Sequence, residues 1–285
     1  MELSLDELRA AAGIGVAGNF AGHLEQAGEA SDFVHVQAAA EAPKGIFPWY
    51  LPNATTFVGT FPLSHDTIAL PPRDAPGELQ LEPEVGVLLT VTYDDAGPAA
   101  LTPRAIAAFN DCSIRRPGAK RISEKKNWGA ASKGVARTAI ALDDLDPAGP
   151  TSTFRLACLL TRDGATHAYG IDSPLPGYSY YGATLLDWVV DRLRHQQGGD
   201  PTPLEPVGAL LHEAGRPQTA LVGIGATRYT PYGETTFLQD GDVATVVVYD
   251  GARSTPQDVE HAVAAGDAHA LPAASVLRQA VRGQD

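Results

Sequence analysis

The sequence predicts a β-rich α+β fold with short helices, and three observations carry that prediction. Glycine (29) and proline (22) punctuate the 285 residues and cut the chain into short segments. Between these breaks lie runs rich in apolar and β-branched residues, clearest at 79–91, Thr153–Leu160 and Val243–Tyr249. Only Tyr181–Gln196 shows a broad helical stripe, made of Leu185, Leu186, Trp188, Val189, Val190 and Leu193.

Leu3 to Ala12 has helical spacing, with a start at Ser4 and Asp6 and Glu7 in the first turn. Gly13, Gly15, Gly18 and Gly22 then break up an apolar segment. Their spacing is not G-x-G-x-x-G, and no Gly-Lys-Ser/Thr follows, so a nucleotide loop is excluded. Ala21 to Ala30 reads as a short helix bearing His23, Glu25, Gln26 and Glu29. Glycines on both sides suit a segment that closes over a site, and residues 13–35 are expected to be lid-like. Residues 41–76 are rich in proline and aromatics, with short strands expected at Thr55–Val58 and Thr67–Leu70. Pro103 to Phe109 reads as a short helix running into Asp111. The long helix stops at Gln197-Gly198-Gly199-Asp200-Pro201. Thr255 caps a helix with Pro256 at its first position, and helical patches continue to about Val281. Residues 252–285 therefore read as a helical or mobile C-terminal tail.

The formal charge of −13 argues against nucleic acid or an anionic membrane as a bulk partner. Basic residues gather at Arg115, Arg116, Lys120, Arg121, Lys125, Lys126 and Lys133, which favours an anionic small molecule, although Lys120–Lys126 also reads as a solvated loop face. Cys112 and Cys158 are too few for a disulfide scaffold or a zinc site. No leader-like segment opens the chain and no apolar run approaches a membrane span, so a cytoplasmic location is expected.

Chemistry concentrates at two stretches. In Leu79–Leu89, Glu82 and Glu84 lie two apart in a strand-like run, so both should project from one face. Like charges on one face call for a metal ion, a basic side chain or a raised pKa, unless the strand is an edge facing water. Asn110-Asp111-Cys112-Ser113-Ile114-Arg115 adds a third carboxylate. Two Glu and one Asp form a hard all-oxygen set suited to Mg²⁺ or Mn²⁺, with Ca²⁺ a third candidate. Arg115, as a planar fork, and Lys133, as a point charge, are complementary means of seating a substrate's carboxylate or carbonyl oxygens.

These motifs, in order, resemble the fumarylacetoacetate hydrolase family. E-x-E on a strand, N-D-x-S-x-R, and a Lys before Gly at Lys133-Gly134 carry the resemblance. Gly15–His23 is similar to the family's opening G-x-N-Y-x-x-H segment, and Phe237-Leu238-Gln239-Asp240-Gly241-Asp242-Val243 to its late strand. The resemblance spans residues 13 to 251 and implies a barrel-like fold of rolled sheets, a homodimer, and one catalytic domain over 1–251. It also implies metal-dependent hydrolysis of carbon–carbon bonds in β-dicarbonyl or 2,4-dioxo acids, with decarboxylation or tautomerisation of 2-oxo acids, or non-catalytic metal-dependent binding, as alternatives. By the same resemblance Asn19 contacts substrate, Lys133 takes part in catalysis, and His23 is the base. The family's acid partner three residues after the His is Gln26 here, which leaves Glu25 or Glu29 to assist.

Overall fold

The computed structural model describes residues 1–39, 41–73, 77–116 and 119–283, and two curled β-sheets carry the chain. In the larger sheet the order is β2 (Gly45–Tyr50), β1 (Ala12–Ala17), β13 (Thr219–Gly223), β6 (Pro83–Asp94), β7 (Gly97–Asn110), β9 (Lys133–Val135) and β3 (Leu63–Ser64), with β10 (Ile140–Ala141) also on β7. The smaller sheet runs β12 (Ala165–Pro174), β11 (Phe154–Arg162), β14 (Val243–Asp250), β15 (Ala274–Arg282) and β4 (Thr67–Ala69). A separate ribbon pairs β5 (Glu78–Gln80) with β8 (Ser113–Arg115). Among the described residues no helix is long and apolar enough to cross a membrane.

The long hairpin β6–β7 is the frame for everything near the site. Its closed end turns at Asp95-Ala96, where the Asp94 carboxylate accepts from the Ala96 N–H at 2.8 Å. Its open end pairs Pro83 with Asn110. Along β7 every residue from Ala105 to Asn110 is buried, because helix α3 (Gly182–His195) and strands β14 and β15 all pack against it. This is why Pro103–Phe109 forms part of a strand and not the expected helix. A strand covered on both faces loses its alternation, and a short apolar run then cannot be told from a buried helix by period.

Four further expectations change. Leu3–Ala12 holds only one helical turn, α1 (Leu5–Leu8), before β1 begins at Ala12. The glycines of β1 are packing positions: a Cβ on Gly13 would stand 2.3 Å from the Trp49 ring and one on Gly15 2.2 Å from Phe47. Residues 12–17 thus belong to the sheet, and the segment over the site starts at Gly18. Thr55–Val58 is not a strand; it leads into a 3₁₀ turn at Phe57–Gly59.

The C-terminal stretch is the fourth change. Helix α6 (Pro256–Ala265) forms as expected, with a reciprocal Thr255–Asp258 capping box. The chain then returns as β15, an interior strand of the smaller sheet, and only residues 284 and 285 of the expected tail lie outside the described residues. Buried positions in β15 alternate through Ser275, Leu277, Gln279 and Val281, so two polar residues disguise the period. Those polar residues stitch the sheets together. Ser275 Oγ donates to Thr138 O and accepts from Ala108 N, while Gln279 binds Asn110 and Thr67 O.

Candidate active site

The open end of the β6–β7 hairpin places the three acids. Glu84 lies on β6, Glu82 just before it, and the Asp111 N–H donates to Glu82 O at 2.9 Å, which ties the two strand ends together. One carboxylate oxygen from each of Glu82, Glu84 and Asp111 falls within 4.8 Å of the others, and all three residues are buried. Glu84 rests where no other residue could be opposite it: a Cβ on Gly223 would stand 2.4 Å from Glu84 Oε2. The Gly225 N–H donates to that oxygen at 3.0 Å.

Three bases meet this cluster, and a fourth joins one of them at Glu29. Lys126 Nζ lies 2.6 Å from Glu82 Oε2 and 2.7 Å from Asp111 Oδ2. Lys133, fully buried, reaches Asp111 Oδ1 at 3.1 Å and donates to Cys112 O at 2.5 Å. Arg115 spans Glu82 at 2.6 Å and Glu29 at 2.6 Å, and also donates to Gln80 Oε1 and Tyr229 Oη. Lys125 Nζ donates to the same Glu29 oxygen at 2.8 Å and to Asp32 at 3.0 Å.

The electrostatics follow from burial against pairing. Burial alone would raise Glu82, but Lys126 and Arg115 outweigh it and hold the carboxyl well below its usual range. Burial pushes Glu84 well above its usual value, and the Asp111 charge adds to the rise. Burial lowers Lys133, with Asp111 opposing. Lys126 is also desolvated, yet Asp111 and Glu82 keep its ammonium above the ordinary lysine value. Burial lowers His23 too, so it is held neutral.

His23 opens helix α2 (His23–Gln26). Its Nδ1 sits 2.9 Å from Thr227 O, and a carbonyl can only accept, so Nδ1 carries the proton and Nε2 is the basic nitrogen. A small cavity of about 20 Å³ lies between His23, Glu29, Phe47, Glu82, Glu84 and Lys126. That is room for about one water molecule. Outside it, a pocket of about 350 Å³ opens to the surface beside Arg115, Arg116 and Lys125, and Glu29 lines both.

Of the residues the sequence singled out, Glu82, Glu84, Asp111, Arg115, Lys133 and His23 come together here. Asn19 does not face the cavity with a free group: its amide donates to Tyr180 O and Ile224 O and its oxygen accepts from Tyr180 N, so it fastens the segment down. Glu25 is exposed and lines a different surface pocket, beside Phe20, Lys44 and Ser179. One helical turn puts Glu25 off the His23 face, and Glu29 is the acid that reaches the site. Lys125 and Lys126 correct the expectation of a solvated loop: both are buried.

The trio fits a hard divalent cation. It supplies oxygen donors only. Glu82 Oε1 and both Asp111 oxygens are buried and face only the nitrogens of Arg115, Lys126 and Lys133, so a divalent ion would compete with these cations for them. The chain therefore holds a buried Glu-Glu-Asp cluster able to bind such an ion.

The fold is shared with known structures. The chain is similar to Cg1458 solved with an inhibitor, at 13% identity and a TM-score of 0.55, covering 96% of this chain and 77% of that one. It is also similar to a 2-keto-3-deoxy-D-arabinonate dehydratase in its apo form, at 10% identity and a TM-score of 0.50, covering 100% and 83%. The likeness is one of fold, and it is the rolled-sheet fold that the fumarylacetoacetate hydrolase resemblance implied. No curated protein matches the chain. A family model described as a family of unknown function, DUF5718, matches residues 29–281, and the chain belongs to that family, built on a fumarylacetoacetate-hydrolase-like fold.

Proposed function

We propose that this site belongs to a metal-dependent hydrolase that cleaves a carbon–carbon bond in a β-dicarbonyl or 2,4-dioxo acid. The observation that carries the reading is the one-water cavity with a neutral, oriented His23 on one side and Glu82 and Glu84, two of the acid trio, on the other. Glu82, Glu84 and Asp111 would hold Mg²⁺ or Mn²⁺, or Ca²⁺. Such an ion, when bound, stabilises charge on the oxygens of an enolate leaving group. His23 Nε2 takes a proton from water as the oxygen adds to the acyl carbonyl. The carbon–carbon bond then breaks, the enolate carbon receives a proton, and a carboxylic acid and a 2-oxo acid leave.

The substrate is anionic on this reading. Glu29 fills the seat between Arg115 and Lys125 at the boundary of the inner cavity and the outer pocket. A substrate carboxylate would take its place as residues 18–35 lift, hinged at Gly18, Gly22 and Gly28, all at positive φ. The same reading makes the chain a cytoplasmic homodimer, which sedimentation and fractionation would check, with a catalytic domain that runs past residue 251 to include β15.

One observation favours a second reaction. Gln26, at the usual acid position, spends its amide on Tyr229 N and O, and no acid in α2 assists His23. Decarboxylation or tautomerisation of a 2-oxo acid needs the electron sink without an activated water, and a dehydratase of a 2-keto acid shares the fold. His23→Ala, assayed on an acylpyruvate and on oxaloacetate, separates the two. Loss of acylpyruvate cleavage with oxaloacetate decarboxylation spared supports hydrolysis with His23 as its base; undiminished cleavage removes His23 from the mechanism. Metal-dependent binding without turnover is the outcome if neither substrate reacts.

A further inference from the structure

We propose that the Lys126 ammonium is the resident cation of the trio, and that a divalent ion enters only by displacing it. The inference rests on the trio being a cation site, as read above. Lys126 Nζ stands between two of the three acids, 2.6 Å from Glu82 Oε2 and 2.7 Å from Asp111 Oδ2. A divalent ion would sit about 2.0–2.6 Å from the same oxygens. Two cations sharing one pair of oxygens in a buried site repel strongly, because little water screens them.

The lysine is placed there by the fold. It closes the 3₁₀ turn Ile122–Lys125, whose Ser123 hydroxyl donates to Glu205 at 2.7 Å. The next residue, Asn127, donates to Trp49 O and Thr60 O, both at 2.9 Å. Between these two anchors the side chain crosses the Phe47 ring, 5.2 Å from its centroid, and only 4% of it is exposed. A chain that merely drifted in from the surface would lack both anchors.

Charge balance points the same way. Glu82, Glu84 and Asp111 already face Arg115, Lys126 and Lys133. Three acids against three bases leave no charge deficit for a doubly charged ion to fill. With Lys126 moved away, the deficit and the open lone pairs of Asp111 coincide.

The test is Mn²⁺ binding to the full chain, followed by electron paramagnetic resonance, in wild type, Lys126→Met, Lys126→Gln and Asp111→Asn. We expect both Lys126 variants to bind Mn²⁺ at least about tenfold tighter than wild type, and added Mn²⁺ to raise their melting temperatures more. Binding no tighter than wild type in both, while Asp111→Asn abolishes it, overturns the Lys126 inference and leaves the trio as a cation site. Binding that Asp111→Asn does not change, or none in any protein, overturns both. Should Lys126→Met unfold without metal, recovery of its fold in Mn²⁺ supports the inference; failure to recover, with Lys126→Gln binding like wild type, counts against it.

Discussion

Arg162 and Asp242 form an ion pair beside the smaller sheet, while Glu82, Glu84 and Asp111 meet their cations at the mouth of the long hairpin. The first pair is saturated. Arg162 donates to both Asp242 oxygens at 2.7 and 2.6 Å and to Phe237 O at 2.8 Å, and the Gln239 N–H completes Asp242 at 2.9 Å. One acid, one base and a backbone loop close on themselves, as in a bidentate pair that holds structure. The second cluster crowds three acids together, pushes Glu84 up by burial and Asp111, and leaves Asp111 without an aligned hydrogen bond. Such an arrangement is costly to bury. A fold keeps it where it is used, so the two regions differ as a fastening differs from a site.

The largest expected effect comes from removing an acid of the crowded cluster. Asp111→Asn should lower kcat on an acylpyruvate by about 10²–10³-fold. It relieves the repulsion on Glu84 but leaves buried Lys126 and Lys133 short of a partner charge, so the melting temperature should fall. A folded variant with wild-type turnover would break the comparison at its functional side.

Arg162→Ala should cost stability alone. It strands Asp242, 2% exposed, without its base, at a cost of about 3–5 kcal/mol by urea denaturation. Turnover by the folded protein should remain within about twofold of wild type. A stability loss near zero would mean that the saturated pair fastens nothing.

Glu205 gives a smaller effect with a defined pH sign. Burial pushes its carboxyl up to about 7, partly offset by its bonds from Ser123. A raised folded value means that the neutral acid's contribution is fully present below the unfolded value of about 4.5. It is lost as pH rises through about 7. Glu205→Gln keeps an acceptor for Ser123 Oγ and has no proton to lose. It should be more stable than wild type by about 3 kcal/mol at pH 8 and about equal at pH 4. An equal difference at both pH values would show that Glu205 ionisation does not matter.

Much of this was legible in the sequence where a residue type and its spacing are set by chemistry. Glu82 and Glu84 two apart, followed by the Asp111-to-Arg115 motif, mark the trio because three acids seldom gather in apolar strands without a purpose. Lys126 was not legible. In a run of basic residues a buried ammonium and a solvated one look alike, and only the packing of Phe47 and Asn127 decides between them. Glu29 was equally hidden, since its reach to Arg115 depends on the 3₁₀ turn Ala30–Phe33 that follows it. In the fold, β7 and β15 were missed for opposite reasons. The first is apolar on both faces from Ala105 to Phe109, and the other carries Ser275 and Gln279 where an apolar residue would have shown the strand.

Glu25 offers the smallest effect and the sharpest check on how the segment over the site is read. His23 and Glu25 are two residues apart in a single helical turn, which points them to different faces. His23 is buried in the cavity wall, and Glu25 is exposed among Phe20, Lys44 and Ser179. An acid that assists a base must touch it directly or through one water. Glu25 meets neither condition while residues 18–35 are closed. Glu25→Ala should therefore change kcat/KM by less than about twofold and stability by less than about 0.5 kcal/mol. A loss in kcat of tenfold or more, at unchanged KM, would mean that the segment rearranges during turnover and brings Glu25 to His23. The acid partner would then be supplied by a conformation other than this one, and Glu29 would remain a fastening on the same side of the comparison as Asp242.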